Sequence, residues 1–466
     1  MTVMRHTPAV LARHADRIQR VKVPGVDAPS AQRDPAVIAR VSEMLADLER
    51  RGLDAVREYA RDLDGWTGGD FLLDADRLAT SGDRLDPALR EAIELGSART
   101  RAFAREHRAH LQDFEVVPEP GLVTGVRYVP VGRVGAYLPA GRFPLTASAF
   151  MTVGVAKEAG VPRVIACTPP QPDGQANDAV LYAAYLSGVD AVYVLGGVQA
   201  LAAMAFGLLE EPVDMLVGAG NAYVAEAKRQ LFGTVSIDLL AGPSEVAVIA
   251  DETADPAIVA ADLLGQAEHG PNSPAALITT SLDLAEQVSA EIDRQLETLS
   301  TADIAGPAWR DYGSITVAPD RDAVVELMDD LAPEHLEVIT ADDDWYAAAL
   351  TNYGSLFLGP WSTVAYSDKG MAGTNHVLPT AGGAKHSAGL SVSRYLKPLT
   401  WQRIEREATP HVAEAVRVIS ESERMSAHAA TATLRQAALA SDGAASAPGA
   451  TDRAGADGAG REKMSA

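Results

Sequence analysis

Residues 241–273 read AGPSEVAVIADETADPAIVAADLLGQAEHGPNS, and the order of residue types in that stretch decides the architecture. Val246-Ala-Val-Ile-Ala250 is a short, continuous apolar run of the kind buried on both faces of a parallel sheet. Asp255 stands where a helix N-cap belongs, and Pro256 occupies the first helical position. A helix is therefore predicted from there toward Gly270. A strand, a short turn and a helix make half of a βαβ unit.

The same alternation extends both ways. Upstream, strands are predicted at 163–168, 191–195 and 215–217, with helices near 178–187, 198–206 and 221–231. Downstream, strands are predicted at 276–279, 314–317, 336–339 and 355–358. Alternating strand and helix predicts an α/β fold with mainly parallel sheets. Two such blocks, about 130–245 and 245–360, predict two doubly wound parallel sheets. The first hundred residues, rich in Ala, Arg, Glu and Leu, read as mostly helix, and 391–439 reads as helix again. From 441 the chain is SDGAASAPGATDRAGADGAGREKMSA. This composition buries too little apolar area to offset chain entropy, so disorder is expected there.

Composition narrows the function. With 40 Lys+Arg against 63 Asp+Glu the formal charge is -23, a field that repels nucleic acid and anionic lipid. Neither is expected as a partner. Cys167 is the one cysteine, which excludes an internal disulfide framework and a Cys-rich metal site. No apolar run reaches the ~18 residues a membrane helix needs, and the N-terminus lacks the apolar core of a secretory signal. A cytoplasmic location is expected.

Four segments crowd polar residues beside glycine or proline. In Gln266-Ala-Glu-His269 the two named side chains are three apart and share a helix face, an oxygen and nitrogen pair that suits zinc or a similar ion, or a solvated helix end. Glu334-His335 sets a carboxylate beside an imidazole able to take a proton near neutral pH, or is an exposed loop pair. The stretch from Asp368 through Asn375 and His376 is a glycine-bearing loop, costly to order without a ligand. Glu423 and His428 are five apart and only partly share a face. Glycine turns around Tyr137 and Arg142, Gln199, and Asn221 allow backbone N–H groups to approach a phosphate, although none matches the full G-x-G-x-x-G pattern.

Taken together and in order, AGPSEVAVIAD, QAEHGPNS, APEHLEV, GTNHVLPT and the closing Glu-x-x-x-x-His resemble the histidinol dehydrogenase family from roughly residue 30 to 435. The resemblance implies two incomplete Rossmann-like domains with small helical terminal segments. These are an N-terminal segment 1–30, a first α/β domain of 31–136 plus 245–390 carrying the catalytic pair and metal site, and a second of 137–244 on the NAD side. A C-terminal helical segment at 391–440 and the tail 441–466 follow. It implies NAD and one zinc per subunit, the metal held by Gln266, His269, Asp368 and a partner subunit's His428. The active site would then be shared within a homodimer. It implies Glu334 and His335 as water-activating acid and general base, Ser244, His376 and Glu423 as substrate contacts, and Tyr137, Gln199 and Asn221 as NAD contacts. The implied reaction takes a small primary alcohol through a bound aldehyde to a carboxylate.

Two departures bear on substrate. Asp368 to His376 spans eight residues where the family usually has seven, with Lys369 in place of the usual Tyr, and Arg142 stands where small neutral residues are usual. Both resemble the paralogous sulfopropanediol dehydrogenases, and an Arg fork suits a sulfonate, phosphonate or carboxylate. The reading favours a small anionic diol, with L-histidinol oxidation to L-histidine as the alternative. A non-catalytic zinc-bound dimer is the reading from a different class, and the intact Glu334-His335 pair speaks against it. Cys167, inside an apolar strand, is expected to be inert.

Overall fold

The computed structural model describes residues 6–25, 34–141 and 144–445. They form two compact units, one reaching Leu111 and resuming from Val129 to Lys397, the other comprising Gln112–Tyr128 and the chain from Pro398 onward.

The first unit holds two mainly parallel sheets. One runs Gln19–Lys22, Gly313–Val317, Ala275–Thr279, Val246–Ala250, His335–Ile339, Ser355–Leu358. Every neighbouring pair in it is parallel except the first, where Gln19–Lys22 adds antiparallel to the edge. The other runs Ala191–Val194, Arg163–Thr168, Arg133–Tyr137, Met215–Val217, Ser236–Ile237, all parallel. In each sheet the first parallel strand of the block lies centrally. The second and third stack on one side and the fourth and fifth on the other, so the chain reverses direction beside the first strand.

The central strands are buried at every residue, as a sheet covered on both faces requires. Val246, Val248, Leu263 and Ile315 share one core, while Ile249, Leu327, Leu336 and Val338 form another on the opposite face. The helices Pro35–Arg51 and Leu53–Asp64 pack Val41, Met44, Leu48 and Val56 with Ile165, Leu201 and Leu216. Residues 35–64 thus share a core with the five-stranded sheet, whereas the sequence reading grouped them with 245–390. Asp255 caps the helix Pro256–Ala267 by accepting the Ala257 N–H, and the helix ends three residues short of Gly270.

The terminal segments correct the sequence reading. Residues 1–30 are not simply helical, because the helix His6–Arg13 gives way to the strand Gln19–Lys22. Likewise 391–440 begins with the strand Leu396–Ile404 before the helices Thr409–Ser422 and Ser426–Ala445. In the second unit Leu396–Ile404, Leu122–Pro130 and Phe114–Glu119 make a three-stranded sheet. Phe114–Glu119 and Leu396–Ile404 are largely exposed and Gln19–Lys22 half so, and none carries a clean apolar alternation, the signal on which a sequence reading depends. The tail expected to be disordered from 441 continues the last helix to Ala445, and 446–466 lie outside the described residues. Among the described residues no helix is long and apolar enough to cross a membrane.

Candidate active site

Two cavities open in the first unit. The larger, about 880 Å³, follows the carboxyl ends of the five-stranded sheet and is walled by Tyr137, Gly197, Gln199, Asn221 and Tyr223. The smaller, about 360 Å³, follows the amino ends of the central strands of the six-stranded sheet and is walled by Glu334, His335, Asp368, Lys369 and His376. They share Ala219, Ala241, Gly242, Ser244 and His269, so the two spaces adjoin. This explains why Glu334-His335 precedes its strand in the sequence: the site uses the amino edge of one sheet and the carboxyl edge of the other.

On the larger cavity the polar groups are mostly satisfied. Tyr137 Oη accepts the Gly197 N–H at 3.2 Å. Gln199 Nε2 donates to Asp64 Oδ2 at 2.9 Å, and the same oxygen accepts the Gly196 N–H at 3.1 Å. Asn221 caps the helix Ala222–Leu231, its side-chain oxygen accepting from Tyr223 N and Val224 N. Gly218, at φ 113°, is required by close approach, because a Cβ there would collide with the Tyr137 carbonyl. Asp64 was not singled out by the sequence; a lone helix-terminal Asp carries no local signal.

On the smaller cavity the groups are buried and under-satisfied. His335 is 3% exposed, and its Nδ1 lies 2.9 Å from the Glu245 carbonyl. That contact puts the ring proton on Nδ1, leaving Nε2 as a buried acceptor with no partner. Burial holds the ring's pKa down to about 4, so it is neutral near pH 7. The Glu334 carboxyl is raised well above the usual range, by burial first and then by the charges of Glu245 and Asp368. Its Oε2 accepts the Glu245 N–H at 2.9 Å.

Glu245 was missed, because its role is carried mostly by its backbone. Its own carboxylate accepts from Ala381 N at 2.8 Å and Glu334 N at 3.3 Å, and burial pushes it up to about 7. Among the described residues, two of the three non-glycine residues at positive φ, Ala332 and Ala381, flank this network. Such backbone costs about 1–2 kcal/mol per residue and persists where surroundings impose it.

Gln266, at the end of its helix, is 2% exposed, and both side-chain polar atoms lack a partner. His269 Nε2 lies 3.5 Å from Asp368 Oδ2, and His376 Nδ1 lies 3.4 Å from Asp368 Oδ1. Burial alone would raise the Asp368 carboxyl, but His269, His376 and Lys369 hold it far below the usual range. The eight-residue spacing to His376 therefore still brings Asp368 to His269. Among the described residues no three His, Cys, Asp or Glu side chains are arranged to hold a metal by themselves. Ser244 lines both cavities. Glu423 and His428 belong to the second unit and are exposed, and Arg142 lies outside the described residues. Cys167 is fully buried, and burial raises its thiol far above the usual range, so it is not poised as a thiolate.

A neutral buried imidazole with a free nitrogen, next to a carboxyl of raised proton affinity and opening on a larger second cavity, is an arrangement suited to proton transfer in an α/β enzyme. The comparisons name the group. The family profile "Histidinol dehydrogenase" matches residues 28–436. A "Histidinol dehydrogenase homolog" of Shouchella clausii is 49% identical over 397 residues, covering 85% of this chain and 93% of that one. A "Sulfopropanediol 3-dehydrogenase" of Ruegeria pomeroyi is 44% identical over 400 residues, covering 85% and 92%. The crystal structure of histidinol dehydrogenase from Elizabethkingia anophelis superposes with a TM-score of 0.84 at 31% identity, covering 92% of this chain and 96% of that one. The chain belongs to the histidinol dehydrogenase family, and it is an NAD-dependent dehydrogenase acting on CH–OH.

Proposed function

We propose that this enzyme oxidises the primary hydroxyl of a small anionic diol, such as a sulfopropanediol, through a bound aldehyde to a carboxylate, with two hydrides passed to NAD. The observation that carries the reading is the adjoining of the two cavities at Ser244 and His269, which puts a dinucleotide-sized space next to His335. The two halves are read as incomplete Rossmann-like domains, with Tyr137, Gln199 and Asn221 contacting the cofactor.

Gln266, His269 and Asp368 fit a divalent ion. The unpartnered, buried amide of Gln266 and the imidazole–carboxylate contact next to it are the donor types zinc takes. A second copy of the chain would add His428 of the partner subunit as a ligand and Glu423 of the partner subunit as a substrate contact. The exposed Val418, Ile419 and Leu434 on the C-terminal helices support such a dimer. When bound, zinc supplies an anchor for the substrate and NAD supplies the hydride acceptor.

His335 takes the hydroxyl proton at Nε2 as the carbon–hydrogen pair departs as hydride. The aldehyde adds water, and Glu334 takes that water's proton. Loss of a second hydride from the hydrate anion leaves the carboxylic acid, which releases its proton to become the carboxylate. Ser244 and His376 contact the substrate. Lys369, whose Nζ is 3.0 Å from Asp368 Oδ2, lines the smaller cavity, and with Arg142 it offers charge-assisted bonds to an anionic tail. The name of the Ruegeria relative supports this choice.

The test is the full-length chain with zinc and NAD, given 2,3-dihydroxypropane-1-sulfonate or L-histidinol. Two NADH per sulfonated diol are expected. Two per histidinol and none from the diol would overturn the substrate assignment in favour of histidine synthesis.

A further inference from the structure

The strand His335–Ile339 carries a second acid that the reaction does not use. Glu337 lies two residues beyond His335 and so on the same face of the sheet. It is 0% exposed, and at its register the flanking strands present Val248 and Phe357. Its Oε1 accepts the Val364 N–H at 2.9 Å, at the first residue of the helix Val364–Asp368. Its Oε2 is buried without a hydrogen-bond partner, and the nearby Thr363 hydroxyl works against burial on the carboxyl's proton affinity.

What Glu337 meets is another carboxyl. Asp262, on the helix Pro256–Ala267, is its side-chain hydrogen-bond neighbour. Asp262 Oδ1 accepts the Thr363 hydroxyl at 2.9 Å, at the N-cap of that same short helix. Two carboxylates accept hydrogen bonds and donate none, so their contact is attractive only if a proton lies between them. One proton gives the orphaned Oε2 its partner and removes one of two buried like charges. Burial is the first cause that raises both groups' proton affinity, and the charge of Asp262 adds to it for Glu337. The other titratable side chains along the elements that meet here are His335 on the strand, and Tyr366 and Asp368 on the short helix.

The sequence spacing gives this pair a role. Asp262 is four residues before Gln266 on one helix face, Val364 is four before Asp368, and Glu337 is two after His335. We propose that Asp262 and Glu337 are positioning residues, a one-proton carboxyl pair that ties together the helix bearing Gln266, the strand bearing His335 and the short helix bearing Asp368. The positioning half rests on the metal reading above; the proton-sharing half stands without it.

Both halves can be tested on the full-length, zinc-loaded chain with Asp262→Asn, Glu337→Gln and Asp262→Ala. An amide donates where the shared proton did, so either amide variant should keep zinc affinity near the parent's. Asp262→Ala should weaken it by roughly 10- to 100-fold, the usual cost of losing an outer-shell partner, read by chelator competition with zinc alone. The sign of the pH effect is fixed. The folded pair keeps a proton that unfolded carboxyls, with pKa about 4, have released, so stability is lost as pH rises through the pair's folded range. Asp262→Asn has no such proton to lose. Its Tm should gain on the parent's as pH rises above the range in which free carboxyls ionise. Parallel Tm–pH curves for parent and both amide variants would overturn proton sharing. Parent-like zinc affinity in Asp262→Ala would overturn positioning. A parent chain that binds no zinc would overturn the metal reading and positioning together, leaving the Tm curves to decide proton sharing.

Discussion

The two rims around the adjoining cavities are built on opposite principles. At the carboxyl edge of the five-stranded sheet, Tyr137 and Asn221 each accept backbone N–H groups and Gln199 donates to Asp64, so the surface is pre-shaped and nearly satisfied. At the amino edge of the six-stranded sheet, His335 Nε2, both polar atoms of Gln266 and His376 Nδ1 are buried without hydrogen-bond partners, and Glu334 is driven far from its usual titration. A native chain leaves few such groups, because each costs on the order of 1–3 kcal/mol. On the proposed function, the satisfied rim is the mould for the cofactor and the unsatisfied rim meets the reacting groups. Perturbed side chains concentrate where chemistry is done.

The comparison can be broken at its strongest point with His335→Asn. Turnover should fall by roughly 10²- to 10⁴-fold, the usual share of a positioned base, while NAD binding measured by titration stays as in the parent. Near-normal turnover would remove the catalytic rim from the account. Lys369→Tyr sharpens the same rim. Loss of one charge-assisted bond should shift kcat/KM away from the sulfonated diol by about 10- to 100-fold, with zinc content unchanged. An unaltered preference in substrate profiling would leave the anionic tail to Arg142 alone.

On the satisfied rim the effects should be smaller and of a different kind. Asn221→Ala removes a helix cap worth about 1 kcal/mol. It should lower Tm by a few degrees and raise KM for NAD by a few-fold, with kcat nearly constant. A collapse of kcat instead would show that this rim takes part in the chemistry. Smallest of all, Cys167→Ala should leave kcat within about twofold, since a buried thiol held protonated is no nucleophile. Loss of the second hydride transfer alone, read as an accumulating aldehyde, would make that cysteine part of the mechanism.

Legibility in the sequence followed burial. The predicted strands at 163–168, 215–217, 246–250 and 355–358 coincide with Arg163–Thr168, Met215–Val217, Val246–Ala250 and Ser355–Leu358, and the other predicted strands differ by a residue at one end. Buried parallel strands are mostly written in unbroken apolar runs, which are visible without a structure; the central strand Arg133–Tyr137 escaped because Arg133 and Gly135 interrupt its apolar pattern. The strands Gln19–Lys22, Phe114–Glu119 and Leu396–Ile404 escaped because an exposed strand imposes little on its side chains. In the site, Gln266, His269, Glu334, His335 and Asp368 stood out as motif residues. Glu245, Asp64, Asp262 and Glu337 did not. Glu245 works mainly through its backbone, and the other three are single acids whose partners lie tens of residues or more away.

The chain's own order of residue types determined the α/β alternation, the capped helix after Val246–Ala250, the family and the reacting residue types, since each of these is encoded over a few neighbouring positions. Tertiary structure alone decided that the Glu334–His335 pair lies at the amino edge of one sheet beside a cavity shared with the carboxyl edge of the other, that His335 is neutral with Nε2 free, and that Asp262 meets Glu337. Burial and pairing are properties of segments distant in sequence, and they set proton affinities that no residue's identity fixes by itself.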